Sequence, residues 1–300
     1  AGCTSSPPCY TWAIPDKIGN TLKIKVQDAN NANVKEVSDN NFEIKGQLVL
    51  DQPNATTTYW YVGDTNTILW TPKGTYAGTA YPLVEFHYDP DASAGFSGVD
   101  IAAVAPDASK ANTAHNVQGS ANWVIPNAIG SNVKVRVRVQ NAPTTVEAIN
   151  STFFKIVGKI TAITSPADAN PGPAEVWNAG DTTRVIRWDT VGSITKVDID
   201  YATAAGGTCS GGSWTNIVTN YTVGAANEYT WPSIPLSIKT ENAYLRVRDN
   251  RYPAETCLVM PDPFRIRPKI TVSTPTNDQQ LVVGTNYANL IQWSYVGTGT

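Results

Sequence analysis

One phrase of this sequence occurs three times. WYVGDTNTILW at Trp60–Trp70 returns as WNAGDTTRVIRW at Trp177–Trp188 and, with more changes, as LVVGTNYANLIQW ending at Trp293. Gly63 and Gly180 can adopt a positive φ and the Asp after each can bond its own backbone, which predicts a turn followed by a strand. The final Trp residues lie 118 and 105 residues apart, a spacing typical of small β-sandwich domains in series. The chain is therefore predicted to be an array of similar domains.

Two further markers give the same period. The Trp of TWAIPDKIG, NWVIPNAIG and TWPSIPLSI and the Phe that closes each repeat recur at intervals of 108 to 112 residues. Because they recur at fixed positions of predicted strands, the Trp residues of this motif are predicted to lie in the core, as are the final Trp residues of the phrase. The markers are Trp12, Trp123 and Trp231, and Phe42, Phe154 and Phe264.

Short alternating segments predict an all-β chain. They are separated by Pro, Gly, Asn and Asp, and no segment shows helical periodicity of useful length. The clearest alternation is at Val133–Val139, where Val residues face one side and Lys134, Arg136 and Arg138 the other. The fold class predicted is a series of β-sandwich domains.

The period divides the chain into four segments. Residues 1–46 are predicted to be the C-terminal half of a domain, 47–158 and 159–267 complete domains, and 268–300 the N-terminal part of another. Two or three residues connect one domain to the next, which predicts a stiff array. Half a sandwich leaves an apolar face and strand edges uncovered. We expect that neighbouring repeats of the same chain, or further copies of it, complete the end segments.

Composition restricts the partners. The chain is 41% hydrophobic and 16% charged, an ordinary globular balance, and its net charge of -3 argues against nucleic acid as a partner. No apolar run approaches the roughly 20 residues that cross a bilayer, so no membrane insertion is predicted. The abundance of Asn and Thr is typical of exported proteins, and three Asn-x-Ser/Thr sequons predict glycans at Asn54, Asn150 and Asn220.

The four cysteines predict two local disulfides. Cys209 and Cys257 belong to one repeat, and their pairing would tie a loop to the hairpin near Arg251. Cys3 and Cys9 bracket TSSPP and are predicted to close a small loop, the alternative being that Cys3 pairs with a residue upstream. Both predictions favour an extracellular location.

The sequence offers little material for catalysis. His87 and His115 are its two histidines, and no metalloprotease, serine-hydrolase or phosphate-loop motif is present. We therefore predict no catalytic residues and a protein that is not an enzyme.

One segment matches part of a calcium-binding pattern. In DPDASAGFSGVD, Asp89, Asp91, Ser93 and Asp100 occupy positions 1, 3, 5 and 12 of an EF-hand-like spacing. The Gly falls at position 7 rather than 6, and Asp replaces the final Glu. Ca²⁺ is the one cofactor hypothesis, and the alternative is a hairpin loop that uses Asp, Pro and Gly for turn geometry.

The repeated motifs also carry a resemblance. W-x-x-G-D-T-x-x-I-x-W, the V-x-I-x-Y strand, W-x-I-P and the closing S-x-x-F-x-I resemble immunoglobulin-like and fibronectin-III-like tandem repeats of large microbial cell-surface proteins, and are similar to the Ser/Thr-rich Kre9/Knh1-like cell-wall domain family. The resemblance covers all four segments. It implies an extracellular structural or adhesive module without catalytic residues.

These observations favour a structural hypothesis: a segment of a long extracellular repeat protein that forms a surface fibre, filament, sheath or stalk. The alternative is an adhesin or carbohydrate-binding module that binds glycans or cell-wall polysaccharide. Surface aromatic residues could serve the second role, and the less regular aromatics are Tyr59, Trp60, Tyr61, Tyr76 and Tyr81.

Overall fold

The computed structural model describes residues 9–75, 83–101, 109–111, 113–140, 145–167 and 174–297. The chain divides into two compact units, Ala1–Ile156 (unit 1) and Val157–Thr300 (unit 2). Within the described residues the regular structure is β-strand, apart from one 3₁₀ turn at Ala92–Ala94. The division of the chain into four repeat segments stays a prediction.

Unit 1 contains two facing sheets and two smaller strand pairs. One sheet has the order β10-β8-β12-β14-β6, with β9 beside β8 and β13 beside β12, and the other has the order β11-β7-β5. β1 pairs with β4, and β2 with β3. The strands are β1 (Gly19–Leu22), β2 (Lys25–Gln27), β3 (Lys35–Val37), β4 (Phe42–Ile44), β5 (Gln47–Gln52), β6 (Tyr59–Tyr61), β7 (Thr65–Lys73), β8 (Leu83–Asp89), β9 (Val99–Asp100), β10 (Ser109–Ala111), β11 (Gly119–Val124), β12 (Gly130–Val139), β13 (Glu147–Ile149) and β14 (Phe154–Val157).

Unit 2 repeats this layout. Its sheets have the orders β15-β17-β20 and β16-β23-β21-β18-β19, with β22 beside β21, and a separate pair, β24 with β25. The strands are β15 (Lys159–Ser165), β16 (Val176–Asn178), β17 (Arg184–Val191), β18 (Lys196–Ala202), β19 (Thr215–Thr222), β20 (Glu228–Trp231), β21 (Thr240–Asp249), β22 (Cys257–Val259), β23 (Phe264–Arg267), β24 (Lys269–Thr274) and β25 (Gln292–Val296).

Alternation along the strands builds both cores. On β12 the odd-numbered residues from Val133 to Val139 are buried and the residues between them are partly exposed, as the sequence predicts. The equivalent strand β21 also buries Leu245 and Val247, but Arg246 between them is buried as well. Each core is closed by aromatic residues in edge-on contact, for example Trp60 with Phe154 in unit 1 and Trp177 with Phe264 in unit 2.

The turn in the repeated phrase has one geometry throughout. Gly63 and Gly180 both have φ 82°, and Gly284 in the third copy has φ 81°, so the predicted positive φ is confirmed. In the second copy the Asp181 carboxylate accepts the Asn178 N–H at 3.2 Å, a bond that closes the turn.

Two predicted core residues are exposed instead. Trp70 and Trp188 are 1% exposed, but Trp293 is 61% exposed and Trp12 is 40% exposed. Within the described residues β24 and β25 form a pair on which no second sheet packs. The prediction was wrong for Trp293 because a repeated motif can determine a strand, whereas burial requires a facing sheet. It was wrong for Trp12 because the segment that carries this residue is not a strand.

Several strands differ from the sequence prediction. The short strands β6 and β16, at the start of the repeated phrase, were not predicted. The segment TWAIP, which carries the predicted core residue Trp12, is not a strand. Each complete sandwich nevertheless has two packed sheets, built mainly from antiparallel pairs, and β16 pairs with β23 in parallel. The fold class, tandem immunoglobulin-like β-sandwich domains, is confirmed.

Candidate functional site

The most heavily charged site of unit 2 lies between β18 and β21. Arg246 donates from Nε and Nη2 to Asp200 Oδ2, at 3.1 and 2.9 Å. Arg248 Nη2 lies 3.2 Å from the same oxygen and 3.7 Å from Asp198 Oδ2. The Asp200 and Arg246 side chains are only 5% and 9% exposed, so this ion pair is held away from water.

A disulfide covers this ion pair with a loop. Cys209 and Cys257 are joined, as predicted, and their bond anchors the loop between β18 and β19 to the start of β22. Arg246 Nη1 donates to the Cys209 carbonyl at 3.1 Å, and the Trp214 ring lies 4.6 Å from the Arg246 guanidinium. The loop that carries Cys209 is therefore fixed onto the sheet.

A cavity of about 470 Å³ beside the disulfide is lined by Arg246, Arg248 and Trp214. The Arg246 donors named above already bond Asp200 and the loop carbonyls. One face of Trp214 meets the guanidinium, and a Cβ placed on Gly207 would lie 2.4 Å from the ring. With one face on Arg246 and the ring packed against Gly207, Trp214 is better suited to holding the loop on the sheet than to stacking on a sugar.

A buried carboxyl ends β21. Asp249 is fully buried and its Oδ1 accepts the Arg251 N–H at 2.8 Å. Burial raises the pKa of the Asp249 carboxyl, although the Arg251 N–H and charge act in the opposite direction. This is the one upward carboxyl shift resolved among the described residues.

The segment with calcium-like spacing uses its carboxylates for loop geometry. Asp89 accepts hydrogen bonds from the Ser97 N–H and hydroxyl at 2.7 and 2.8 Å and from the Asp91 N–H at 3.0 Å. Burial alone would raise the Asp89 pKa, but these bonds outweigh it and hold the pKa below its ordinary value. The Asp91 carboxylate accepts the Ser93 N–H and the Asn132 amide.

Over the residues that the structure describes, no group of three or more His, Cys, Asp or Glu is arranged to hold a metal ion. The side chain of Asp100, the fourth predicted ligand, lies outside the described residues. Calcium binding by Asp89, Asp91, Ser93 and Asp100 stays a prediction.

A polar joint in unit 1 was not predicted. The Asp16 carboxylate, in the segment before the first complete sandwich, accepts both the Thr75 N–H and, at 2.7 Å, the Thr75 hydroxyl. His115 Nδ1 accepts the Gly74 N–H at 2.7 Å and lies 3.7 Å from Asp16 Oδ2. The hydrogen bond from the Thr75 hydroxyl lowers the pKa of Asp16 and outweighs burial, which acts to raise it. A cleft of about 330 Å³ lies beside the joint.

The corresponding joint in unit 2 is apolar. A Cβ on Gly180 would lie 2.8 Å from Val296 Cγ1 and 3.1 Å from Leu236 Cδ2, and one on Gly297 would lie 3.1 Å from Ala179 Cβ. Only glycine leaves room for this approach of the β24–β25 hairpin. Asp16 and Leu236 follow the last Pro of TWAIP and of TWPSIP, and this variable position was the sequence signal for the two joints.

The three sequons lie in different environments. Asn54 and Asn220 are exposed. Asn150 is 3% exposed, its Oδ1 accepts the Val135 N–H at 2.6 Å, and its Nδ2 donates to the Thr152 carbonyl. A glycan requires an exposed asparagine, whereas Asn150 is buried. Its amide satisfies a strand N–H, a role that the sequon pattern does not reveal.

Other predicted residues have mixed outcomes. Cys9 is disulfide-bonded, and Cys3, Tyr76 and Tyr81 lie outside the described residues. Trp60 is buried in the core, while Tyr59 is exposed and contacts Tyr61 with ring centroids 5.3 Å apart. No helix in the described part of the chain is long and apolar enough to span a membrane.

Comparisons with known proteins agree in fold only. No family model matches the chain, and no curated protein matches it significantly. Among solved structures, immunoglobulin domains 1–5 of Sidekick-1 align over 74% of this chain at 11% identity with a TM-score of 0.24. The chain spans 39% of that structure.

Two further structures are similar at the same level. The insect immune protein hemolin aligns over 79% of this chain and 54% of its own at 12% identity, with a TM-score of 0.31. Three N-terminal domains of the bacteriophage RB49 highly immunogenic outer capsid protein align over 85% of this chain and 71% of their own at 13% identity, with a TM-score of 0.26. These values are too low to support a functional inference, and membership of the Kre9/Knh1-like family stays a prediction.

Proposed function

We propose that this chain is a non-catalytic structural segment of an extracellular repeat protein, in which sandwich domains joined in series form a surface fibre, filament, sheath or stalk. The observation that carries the proposal is the direct joining of segments within each unit. β4 and β5 are separated by two residues, and β23 and β24 by Pro268 alone. Such connections leave little freedom for hinge motion.

Side-chain contacts reinforce both connections. Asp16 accepts two hydrogen bonds from Thr75 in unit 1, and Gly180 admits Val296 in unit 2. In the unit 1 joint the Thr75 hydroxyl donates to the Asp16 carboxylate and His115 Nδ1 accepts the Gly74 N–H, so these groups hold the connection together. A fixed joint between serial domains suits transmission of force along a chain.

The proposed partners are neighbouring repeats or further copies of the chain. The face of the β24–β25 pair that carries Trp293 corresponds to the face of β17 that carries Trp188, and the second sheet of the sandwich covers the latter. Ile270 and Val272 are exposed beside Trp293. A repeat of the same kind would bury these side chains as unit 2 buries its own.

Electron microscopy of native material carrying this chain tests the proposal. Continuous fibres with an axial repeat of one or a few sandwich domains are expected. Discrete particles without such a repeat would contradict it. The density around residues 1 and 300 would show whether one chain or another copy covers Trp293.

A second candidate function is glycan binding, and it rests on Tyr59 and Tyr61. Both lie on β6, an end strand of its sheet in the described part of unit 1, and Tyr59 is exposed. The equivalent residues of β16 are Val176 and Asn178, so the pair is not required by the repeat. Aromatic rings of this kind can stack on sugar faces.

Binding of native cell-wall polysaccharide by wild-type protein and a Tyr59→Ala/Tyr61→Ala variant tests this alternative. Loss of binding in the variant with unchanged unfolding would favour an adhesin or carbohydrate-binding module. A Val176→Ala/Asn178→Ala variant is the matched control, because it changes the same positions in unit 2.

A further inference from the structure

We propose that Asn220 carries an N-linked glycan and that this glycan covers the free edge of strand β19. The sequence contains three sequons, and the structure separates them by the state of the amide nitrogen that would receive the sugar. Asn220 combines exposure, a fixed backbone and an uncommitted amide. Neither of the other two has all three.

The nitrogen atoms of Asn54 and Asn150 are engaged. Asn54 Nδ2 donates to the Asp51 carbonyl at 2.7 Å, although the residue is exposed. Asn150 Nδ2 donates to the Thr152 carbonyl inside unit 1. A sugar on Asn150 would have to enter the interior or displace the amide that satisfies the Val135 N–H, and both are costly. In contrast, the Asn220 side chain makes no hydrogen bond to any residue that the structure describes.

The Asn220 backbone is held by a buried carboxylate. Its N–H donates to Asp198 Oδ1 at 2.8 Å, and Asn250 Nδ2 donates to the same oxygen at 2.8 Å. Asp198 is 8% exposed and belongs to the neighbouring strand β18. The anchored backbone leaves the side chain pointing outward, and Thr222, the hydroxyl residue of the sequon, is exposed two positions further on.

Strand β19 needs protection at its outer edge. It is the last strand in the order β16-β23-β21-β18-β19. Its eight residues, TNIVTNYT, include no charged residue and no proline, two of the devices that prevent edge strands from pairing with other chains. The pairing with β18 shifts register twice, and Asn220 adopts φ 58° at one of these shifts. A bulky polar glycan at that bulge would block the approach of another strand.

The modification is a glycosyl transfer. Asn220 Nδ2 forms a bond to C1 of the first sugar, while the C1–O bond to a lipid-linked diphosphate donor breaks. The lipid diphosphate leaves and the amide nitrogen loses one proton. The transferase and the donor of the exporting cell carry out this step. The folded structure determines at which asparagine an attached glycan can be accommodated.

Glycopeptide mass spectrometry of native secreted material tests the assignment. We expect a hexosamine- or hexose-containing adduct on the peptide with Asn220 and none on the peptide with Asn150. Asn220→Gly, which tolerates positive φ, and Thr222→Val, which keeps a β-branched strand residue, should both lose the adduct while the protein remains folded. An unmodified Asn220 in native material, or an adduct that persists in Thr222→Val, would overturn the assignment.

A second measurement tests the protective role. Enzymatic removal of the glycan from folded protein should increase self-association in sedimentation velocity. Thr219→Lys, which adds a charge to the same edge, should reverse that increase. Deglycosylated protein that associates no more than the native form would refute shielding of the edge, whatever the occupancy of Asn220.

Discussion

The two complete sandwiches place the same strand pair in the same register but balance its charges differently. Arg138 lies opposite Glu85 in unit 1, and Arg248 lies opposite Asp198 in unit 2. Two residues further along each strand, His87 lies opposite Arg136 in unit 1, whereas Asp200 lies opposite Arg246 in unit 2. The arginine positions are repeated, and their partners are not.

The aromatic neighbours follow the arginines. The Arg136 guanidinium lies 4.7 Å from the Phe96 ring, and the Arg246 guanidinium lies 4.6 Å from the Trp214 ring. Both rings come from the loop that follows the partner strand. The shared fold therefore fixes the position of the arginine and of the ring that stacks on it. The counter-charge and the disulfide differ between the two domains.

Asp200→Ala should have the largest effect on this comparison. Removing the counter-charge of a buried arginine is expected to destabilise unit 2 by about 3 to 5 kcal/mol. Native-state hydrogen exchange of the β18 and β21 amides measures the loss. Glu85→Ala is the comparison variant, because it removes the counter-charge of a more exposed arginine: the Glu85 and Arg138 side chains are 19% and 40% exposed, so its cost should be below about 1 kcal/mol. Equal costs would show that burial does not separate the two pairs.

Removal of the disulfide should come next. The Cys209→Ser/Cys257→Ser variant opens a loop with a sequence separation of 48, and about 2 to 4 kcal/mol of unit 2 stability should be lost. Hydrogen exchange of unit 1 peptides in the same sample provides the internal control, since they should not change. Unchanged exchange of the residues around Arg246 would contradict the role of the disulfide in holding the loop on the ion pair.

The aromatic rings should contribute less. Trp214→Ala removes the ring over Arg246 and the indole donor to the Thr208 carbonyl, and about 1 to 2 kcal/mol is expected. Phe96→Ala, which removes only a ring, should cost about 0.5 to 1 kcal/mol. Denaturant unfolding of each variant gives the values. Trp214→Phe should retain the stabilisation that comes from stacking on Arg246. If Trp214→Phe costs as much stability as Trp214→Ala, the effect belongs to the indole N–H donor instead.

The smallest effect expected is an opposite dependence on pH. Asp249 lies where unit 1 has Val139, and burial raises its pKa. Its contribution to stability is complete below the ordinary pKa of Asp and is lost as the pH rises through the raised value. Asp89 lies where unit 2 has Ala202 and has a lowered pKa. Its contribution is present above the ordinary pKa and is lost as the pH falls through the lowered value.

Hydrogen exchange between neutral and acidic pH, corrected for intrinsic rates, separates these two carboxyl groups. Acidification should loosen the residues around Asp89 relative to those around Asp249. Asp89→Asn and Asp249→Asn should each remove the pH dependence of their own region. A shared sign of the pH response in the two regions would contradict the assignment.

Much of the fold could be predicted because its signals are local. The Val alternation of β12 and the positive φ of Gly63 and Gly180 follow from strand geometry and from the absence of a side chain. The pairing of Cys209 with Cys257 followed from their place in one repeat. The joints were harder, since Asp16 and Thr75 are far apart in sequence and no local pattern relates them.

The sequence by itself determined the period, the all-β fold class, the turn of each phrase and the positions of most core strands, although not of β6 and β16. Only the tertiary structure decided that Trp188 is buried while Trp293 is exposed, that Asp200 neutralises Arg246, and that the amide of Asn150 is engaged in the interior. The physical reason is that backbone geometry depends on neighbours along the chain, whereas burial and charge pairing depend on which surface packs opposite.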